Sequence, residues 1–325
     1  MAELRQQPIL MECTGWPNDE GAYRLLDSGA GRKYEAFGPH AFIRPEPQAL
    51  WQPRLADWPA AGEFIPGSDE DGGGRWVMEP DAPPADWTLN WNSVRFSAQP
   101  TPFRHLQFFP DMAPVWDWMG SMVSPRAGGD LSQSKLQDDG GPRLREGSPL
   151  SFLNLFGYTG LGSLALSEYG QVTHVDASKK SVAQARDNAA LSGMEDKPIR
   201  WLVDDAAKFT AREVRREKRY DGIILDPPKF GRGPKNETWR LEEGLPGLVG
   251  DCAQLLDRDS AFLFLTVYAV RISSVAIAGL LQEALSHLPG VIEHGDLVVR
   301  EEPVTGAANP RLLPTAIFAR WSNPR

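Results

Sequence analysis

Four short stretches in the second half of the chain combine residue types that can grip a ligand: Gly157-Tyr-Thr-Gly-Leu-Gly162, Asp176, Asp204-Asp205 and Asp226-Pro-Pro-Lys-Phe230. Each follows a short apolar run. A glycine-rich turn lets backbone approach a ligand closely, but its G-x-x-G-x-G spacing differs from the G-x-G-x-x-G of dinucleotide dehydrogenases. Alone, such glycines serve tight packing as readily as ligand contact. Asp176 ends the run QVTHV, 19 residues after Gly157, where a carboxylate can hold a pair of ribose hydroxyls. Asp204-Asp205 ends IRWLV, where a carboxylate can accept the exocyclic amine of an adenine. Asp226 ends YDGIIL, and the two prolines stop the strand there because neither donates an N–H. Four successive tips on the carboxyl edge of an open α/β sheet, the edge that binds ligands, point to a nucleoside-containing cofactor.

These tips need a parallel sheet behind them. From Pro149 onward, strand-like runs (150–156, 171–175, 199–203, 220–225, 261–267) alternate with helical patterns (181–191, 206–216, 241–256, 273–288), the signature of βαβ units. Residues 291–300 and 312–321 follow without a helix between them, which predicts an antiparallel hairpin at the sheet edge. The first hundred residues are rich in Pro, Gly and Trp, with strand-like stretches at 23–26, 40–44 and 75–78 and a loop at 67–74. Ala113–Val123 has an apolar face at helical spacing, and 127–147 reads as a mobile Gly- and Ser-rich linker. The expected domains are 1–100 (β-rich), 101–148 (connecting) and 149–325 (cofactor-binding).

A chain of 325 residues that is 41% hydrophobic and 24% charged is globular. Two cysteines far apart and five histidines without ligand spacing suggest neither a disulfide framework nor a metal site. With no signal-like start and no long apolar run, a soluble cytoplasmic protein away from membranes is expected. The net charge of −9 argues against bulk coating of nucleic acid. Residues 1–148 hold 13 Lys/Arg against 21 Asp/Glu and residues 149–325 hold 21 against 22, so the acid is concentrated in the first half. A basic cluster (Arg212, Arg215, Arg216, Lys218, Arg219) reads as a solvated helix end ahead of a phosphate contact. His174, inside a strand, reads as a core residue.

The segments NLFGYTGLGSLAL, THVDASKKSVAQARDNAALSG, WLVDDAAKF and YDGIILDPPKF resemble successive motifs of class I S-adenosylmethionine-dependent methyltransferases. The bacterial family that methylates cytosine C5 of large-subunit ribosomal RNA is the most similar in these motifs. The resemblance covers about 150–267, and Phe108-Phe109-Pro110-Asp111 is similar to the Tyr-Tyr-Leu-Asp stretch that precedes the cofactor domain there. It implies a Rossmann-like α/β fold, mostly parallel with an antiparallel C-terminal edge, beside a smaller β-rich N-terminal domain. It implies S-adenosylmethionine as cofactor and RNA as substrate. Gly157, Tyr158, Thr159, Gly160 and Gly162 would pass under the methionine moiety, with Phe109 and Asp111 also on the cofactor side. Asp176 and Ala177 would hold the ribose, and Asp205 and Ala206 the adenine. Asp226, Pro227 and Pro228 would face the acceptor, with Lys229 on a phosphate or base edge and Phe230 stacking on a flipped base.

The chain departs from that family where the chemistry is decided. Cytosine C5 must be activated by a thiolate at C6. The resembling family carries that cysteine in a Thr-x-Ser-Cys run, whereas here Thr266-Val-Tyr-Ala269 ends in alanine. Cys252 reads as packing within a helix. Ala113 also stands where the family has arginine, and no PUA-type RNA-binding domain is recognisable in the first hundred residues. Nitrogen acceptors are therefore favoured over C5. The competing readings are a methyltransferase for a small molecule or protein, and a cofactor-binding interaction protein without catalysis. A dehydrogenase comes last because the glycine spacing is wrong.

Overall fold

A computed structural model describes residues 1–16, 23–67, 73–80, 83, 87–124, 149–268, 270–304 and 309–323. The linker expected at 127–147, most of the 67–74 loop and Ala269 lie outside the described residues. In chain order, β1 (Glu3–Leu4) and β2 (Ile9–Cys13) precede β3 (Tyr23–Gly29), β4 (Arg32–Phe37), β5 (His40–Pro45), β6 (Gly62–Pro66) and β7 (Gly74–Met78). The ribbon β8 (Thr88–Trp91) and β9 (Val94–Ser97), a 3-10 turn at Pro110–Met112 and helix α1 (Ala113–Val123) follow. The second half runs β10 (Leu150–Leu155), α2 (Leu161–Ser167), β11 (Gly170–Asp176), α3 (Lys179–Leu191), β12 (Ile199–Val203), α4 (Ala206–Arg215) and β13 (Gly222–Leu225). It ends with β14 (Phe230–Arg232), β15 (Thr238–Arg240), α5 (Leu241–Gln254), β16 (Phe262–Tyr268), α6 (Ser274–Ala284), β17 (Val291–Arg300) and β18 (Leu312–Ser322).

The large sheet has nine strands in the order β1-β17-β18-β16-β13-β10-β11-β12, with β2 also on β17. Strands β12, β11, β10, β13 and β16 are mutually parallel, so their carboxyl tips share one edge. The hairpin β17–β18 forms, antiparallel to β16. Beyond it, β1 and β2 pair in parallel with β17, so the first 13 residues belong to this sheet. A separate five-stranded sheet, β3 to β7, is built from the N-terminal residues.

Period-two alternation divides the core between the two faces. Phe152, Phe262, Phe264 and Phe318 point to one face, where α1, α2, α3 and the N-terminal strands cover them. Leu153, Leu263, Leu265 and Ala319 point to the other, against α4, α5 and α6. Buried on both sides, these strands read as continuous apolar runs, which is why they were recognisable in the sequence.

Candidate functional site

The turn after β10 is backbone-strained. Phe156 (φ 58°), Tyr158 (φ 48°) and Gly160 (φ 88°) alternate in the left-handed region, and two of the three are not glycine. Such residues cost about 1 kcal/mol or more each and persist only where neighbours over-determine them. Here the Gly157 amide donates to Val175 O (3.1 Å) and the Gly160 amide to Gly157 O (3.0 Å). The Tyr158 amide donates to Asp176 Oδ2 (2.9 Å), Thr159 Oγ1 to Gln107 O (2.6 Å), and Asn188 Nδ2 to Thr159 O (2.9 Å). Gly157 is required by packing: a Cβ there would stand 2.4 Å from the His174 ring. His174 itself is fully buried, with Nδ1 against Ser163 Oγ (2.9 Å), which also accepts from Asn154 Nδ2 (2.9 Å). Burial depresses its pKa to about 3, so it is a neutral core support beneath the loop.

A cleft open to solvent lies at this edge. The glycine turn forms one wall, and Phe109, Trp116 and Asp226 form others. Of the residues singled out in the sequence, Phe109, Gly157, Tyr158, Thr159, Gly160, Gly162 and Asp226 line it together. Asp176, Ala177, Asp205 and Ala206 lie beyond the turn on the next two tips, tied in through Tyr158–Asp176 and through the Asp204 amide on Asp176 O (3.0 Å). Asp111 is 5% exposed in the 3-10 turn and lies outside the cleft lining.

The three tip carboxylates differ in what they have left to offer. Asp176 accepts the Tyr158 amide on Oδ2 and the Ser178 amide (2.8 Å) on Oδ1, leaving each oxygen a further lone pair. Burial pushes its carboxyl up, and the two amides pull it back. Asp205 is the N-cap of α4: its Oδ1 accepts from the Lys208 amide (2.9 Å), and its other oxygen has no donor among the described residues. Asp204 instead pairs with Arg212. Among the described residues Asp226 accepts a single hydrogen bond, from Thr266 Oγ1 (2.6 Å). Burial pushes its carboxyl up to about 7, Thr266 opposes this and the charge of Asp111 adds to it. Burial and these two carboxylates also hold the Tyr268 phenol protonated well above its usual range.

The double-proline turn is rigidly held. Pro227 is buried, and Pro228 O accepts from Trp239 Nε1 (2.7 Å). Lys229 and Phe230 are exposed. The sequence reading missed the β14–β15 hairpin that follows, although Gly233-Pro234 between F-G-R and T-W-R was a turn signal. It also missed Thr266, Tyr268 and Trp116. The first two sit at the end of the apolar run FLFLTVY, and Trp116 is on a helix face that reads as ordinary core.

The basic cluster does not reach this edge as a group. Arg212 pairs with Asp204, Arg216 with Glu213 (2.8 Å), and the rest lie where α4 descends to the amino end of β13. Both cysteines are packed. Cys252 is fully buried in α5, and burial raises its thiol. Cys13 donates to Pro110 O (3.5 Å) and is pushed up to about 12 by burial first. Neither thiol lines the cleft.

No protein-family profile matches the chain. A crystal structure described as the SAM-dependent methyltransferase from Agrobacterium tumefaciens is 37% identical, with a TM-score of 0.85, over 99% of this chain and 95% of that one. The ribosomal RNA large subunit methyltransferase I of Shewanella denitrificans is 37% identical over 82 residues, 25% of this chain and 21% of that protein. The ribosomal RNA large subunit methyltransferase K/L of Shewanella baltica is 32% identical over 115 residues, 34% of this chain and 16% of that protein. The chain thus spans about a fifth or less of the curated relatives it matches.

Proposed function

The chain belongs to the SAM-dependent methyltransferases, and from that premise we propose that it methylates a nitrogen of a base in RNA, with ribosomal RNA as the substrate. S-adenosylmethionine supplies an electrophilic methyl group on a sulfonium. The residues present fit this cofactor. The glycine turn leaves the cleft open beside Trp116, where a Cβ on Gly162 would come within 3.1 Å of the indole nitrogen. Asp176 retains lone pairs for a hydroxyl pair, and Asp205 retains a whole oxygen for an amine.

Asp226 carries the proposal: it is a cleft carboxylate with one donor and capacity for more. Methyl transfer needs an aligned nucleophile more than strong acid–base help. Asp226, stiffened by Pro227 and Pro228, accepts a hydrogen bond from the acceptor N–H and then its proton, since a carboxyl near 7 is partly ionised at neutral pH. The packed cysteines support a nitrogen acceptor over cytosine C5.

The match to two ribosomal RNA methyltransferases, though it covers only part of each, supports the substrate class. That role suits a cytoplasmic protein. Among the described residues no helix is long and apolar enough to cross a membrane. With residues 1–13 in the large sheet, the division that belongs to the same proposal is a substrate-side region from there to about 100, a connector to 148 and a methyltransferase domain from 149. Mass mapping of cellular RNA from a strain lacking the protein tests it: one base loses a methyl group relative to wild type. Identical maps, with methylation of a purified protein or metabolite fraction instead, would overturn the RNA reading.

A further inference from the structure

The turn after Asp226 continues directly into the β14–β15 hairpin, so the base of the hairpin is fixed beside the acceptor end of the cleft. Phe230–Arg232 pairs antiparallel with Thr238–Arg240. Trp239 anchors the arm: it is buried, its Nε1 donates to Pro228 O, and its ring lies 5.1 Å from that of Phe156. Residues 229–240 hold four cations and one acid in a chain whose net charge is −9. That acid, Glu237, is already spent on Lys208 (2.7 Å) and on the Lys235 amide (2.8 Å). Among the described residues no ion pair involves Lys229, Arg232 or Lys235, and all three are exposed. Phe230 is 45% exposed, with the Arg232 guanidinium 5.7 Å from its ring centroid. A hairpin kept only for folding would turn its aromatic inward, and Trp239 already does that here.

Resting on the RNA reading above, we propose that this hairpin is a docking arm for single-stranded RNA. Phe230 is exposed and outside the cleft lining, so with Arg232 it forms a stacking platform for a base flanking the target and not for the flipped base itself, while Lys229, Arg232 and Lys235 meet the phosphates. A platform that accepts a base face requires an unstacked strand, and so does a target base that must enter a cleft. Locally inverted charge next to the cleft also explains how an acidic protein holds a polyanion without coating it.

The test is fluorescence anisotropy with a uridine-rich single-stranded RNA of about 12 nucleotides, titrated at about 50 to 300 mM salt. The Arg232→Ala/Lys235→Ala variant should bind about 25-fold more weakly at about 0.1 M salt, with a salt slope smaller by about 1.4, as loss of two phosphate contacts on a single strand requires. Calorimetry with S-adenosylhomocysteine confirms that the variant is folded. With a 2-aminopurine-containing strand, quenching should be lost in Phe230→Leu and kept in Phe230→Trp. If wild type binds RNA and the double variant binds with the same affinity and slope, the arm is refuted while the RNA reading stands. Failure of wild type to bind at low salt removes the RNA reading and the arm with it. Hairpin-dependent binding of an acidic peptide in place of RNA would overturn the proposal in favour of a protein partner.

Discussion

Two aspartates, Asp27 in the N-terminal sheet and Asp226 at the tip of β13, show how differently one side chain is used in this molecule. Asp27 is fully buried and saturated: Oδ1 accepts from the Ser28 amide (2.9 Å) and Arg311 Nη2 (2.7 Å). Its Oδ2 accepts from the amides of Arg54 (2.9 Å) and Leu55 (2.8 Å) and from Trp58 Nε1 (3.0 Å). Among the described residues Asp226 has the Thr266 hydroxyl alone. Burial does not separate the carboxylate proposed to act from the one that only holds the fold together. Unused acceptor capacity facing a cleft does, because a buried polar group without partners is costly unless something else supplies them.

Removing each carboxylate should therefore break different things. Asp27→Ala removes one of the two carboxylates that pair with Arg311 and leaves the Arg54 and Leu55 amides and Trp58 Nε1 without their acceptor, so it should destabilise the fold by about 3–5 kcal/mol, the scale of breaking a buried, hydrogen-bonded charge network. Chemical denaturation checks this, and an unchanged midpoint would dissolve the contrast. Asp226→Ala should leave stability and cofactor affinity near wild type while slowing methyl transfer by about 10²–10³-fold, the scale of losing one aligned polar group. If cofactor affinity fell in proportion, Asp226 would belong to the cofactor side. Asp176→Ala should weaken S-adenosylmethionine binding by about 1.5–3 kcal/mol in calorimetry. Cys252→Ala should cost only about 1 kcal/mol of stability and leave turnover intact. RNA carrying 5-fluorocytosine should form no trapped adduct; an adduct lost on substituting Cys252 or Cys13 would restore C5 chemistry.

What the sequence disclosed follows from how local each feature is. The strand tips were legible because β10, β11, β12 and β13 are short apolar runs ended by glycine, aspartate or proline, all read within a few residues. The placement of β2 was not. ILMEC carries no mark of its partner, nearly 300 residues away, and the Glu12–Arg300 pair that fixes its register exists only after pairing. Asp176 was identifiable as a tip residue, but its grip on the Tyr158 amide depends on a left-handed turn that tyrosine seldom adopts. Thr266 was noticed only as the start of a run lacking cysteine, yet among the described residues it supplies the one donor to Asp226.

The pH dependence of methyl transfer tests the role of Asp226 most directly. Its raised carboxyl binds a proton in the folded protein at pH values where the unfolded chain has lost it. The native state therefore loses stability relative to the unfolded one as pH rises from about 4 toward 7, and gains a proton acceptor over the upper part of that range. Single-turnover methyl transfer to ribosomal RNA from the deletion strain should rise through about pH 7 in wild type and level off above it. Asp226→Asn, which cannot take the proton, should be slower and flat across the same range. A wild-type profile without that rise, or an Asn variant that keeps it, would contradict the assignment of Asp226 as the group that receives the acceptor's proton.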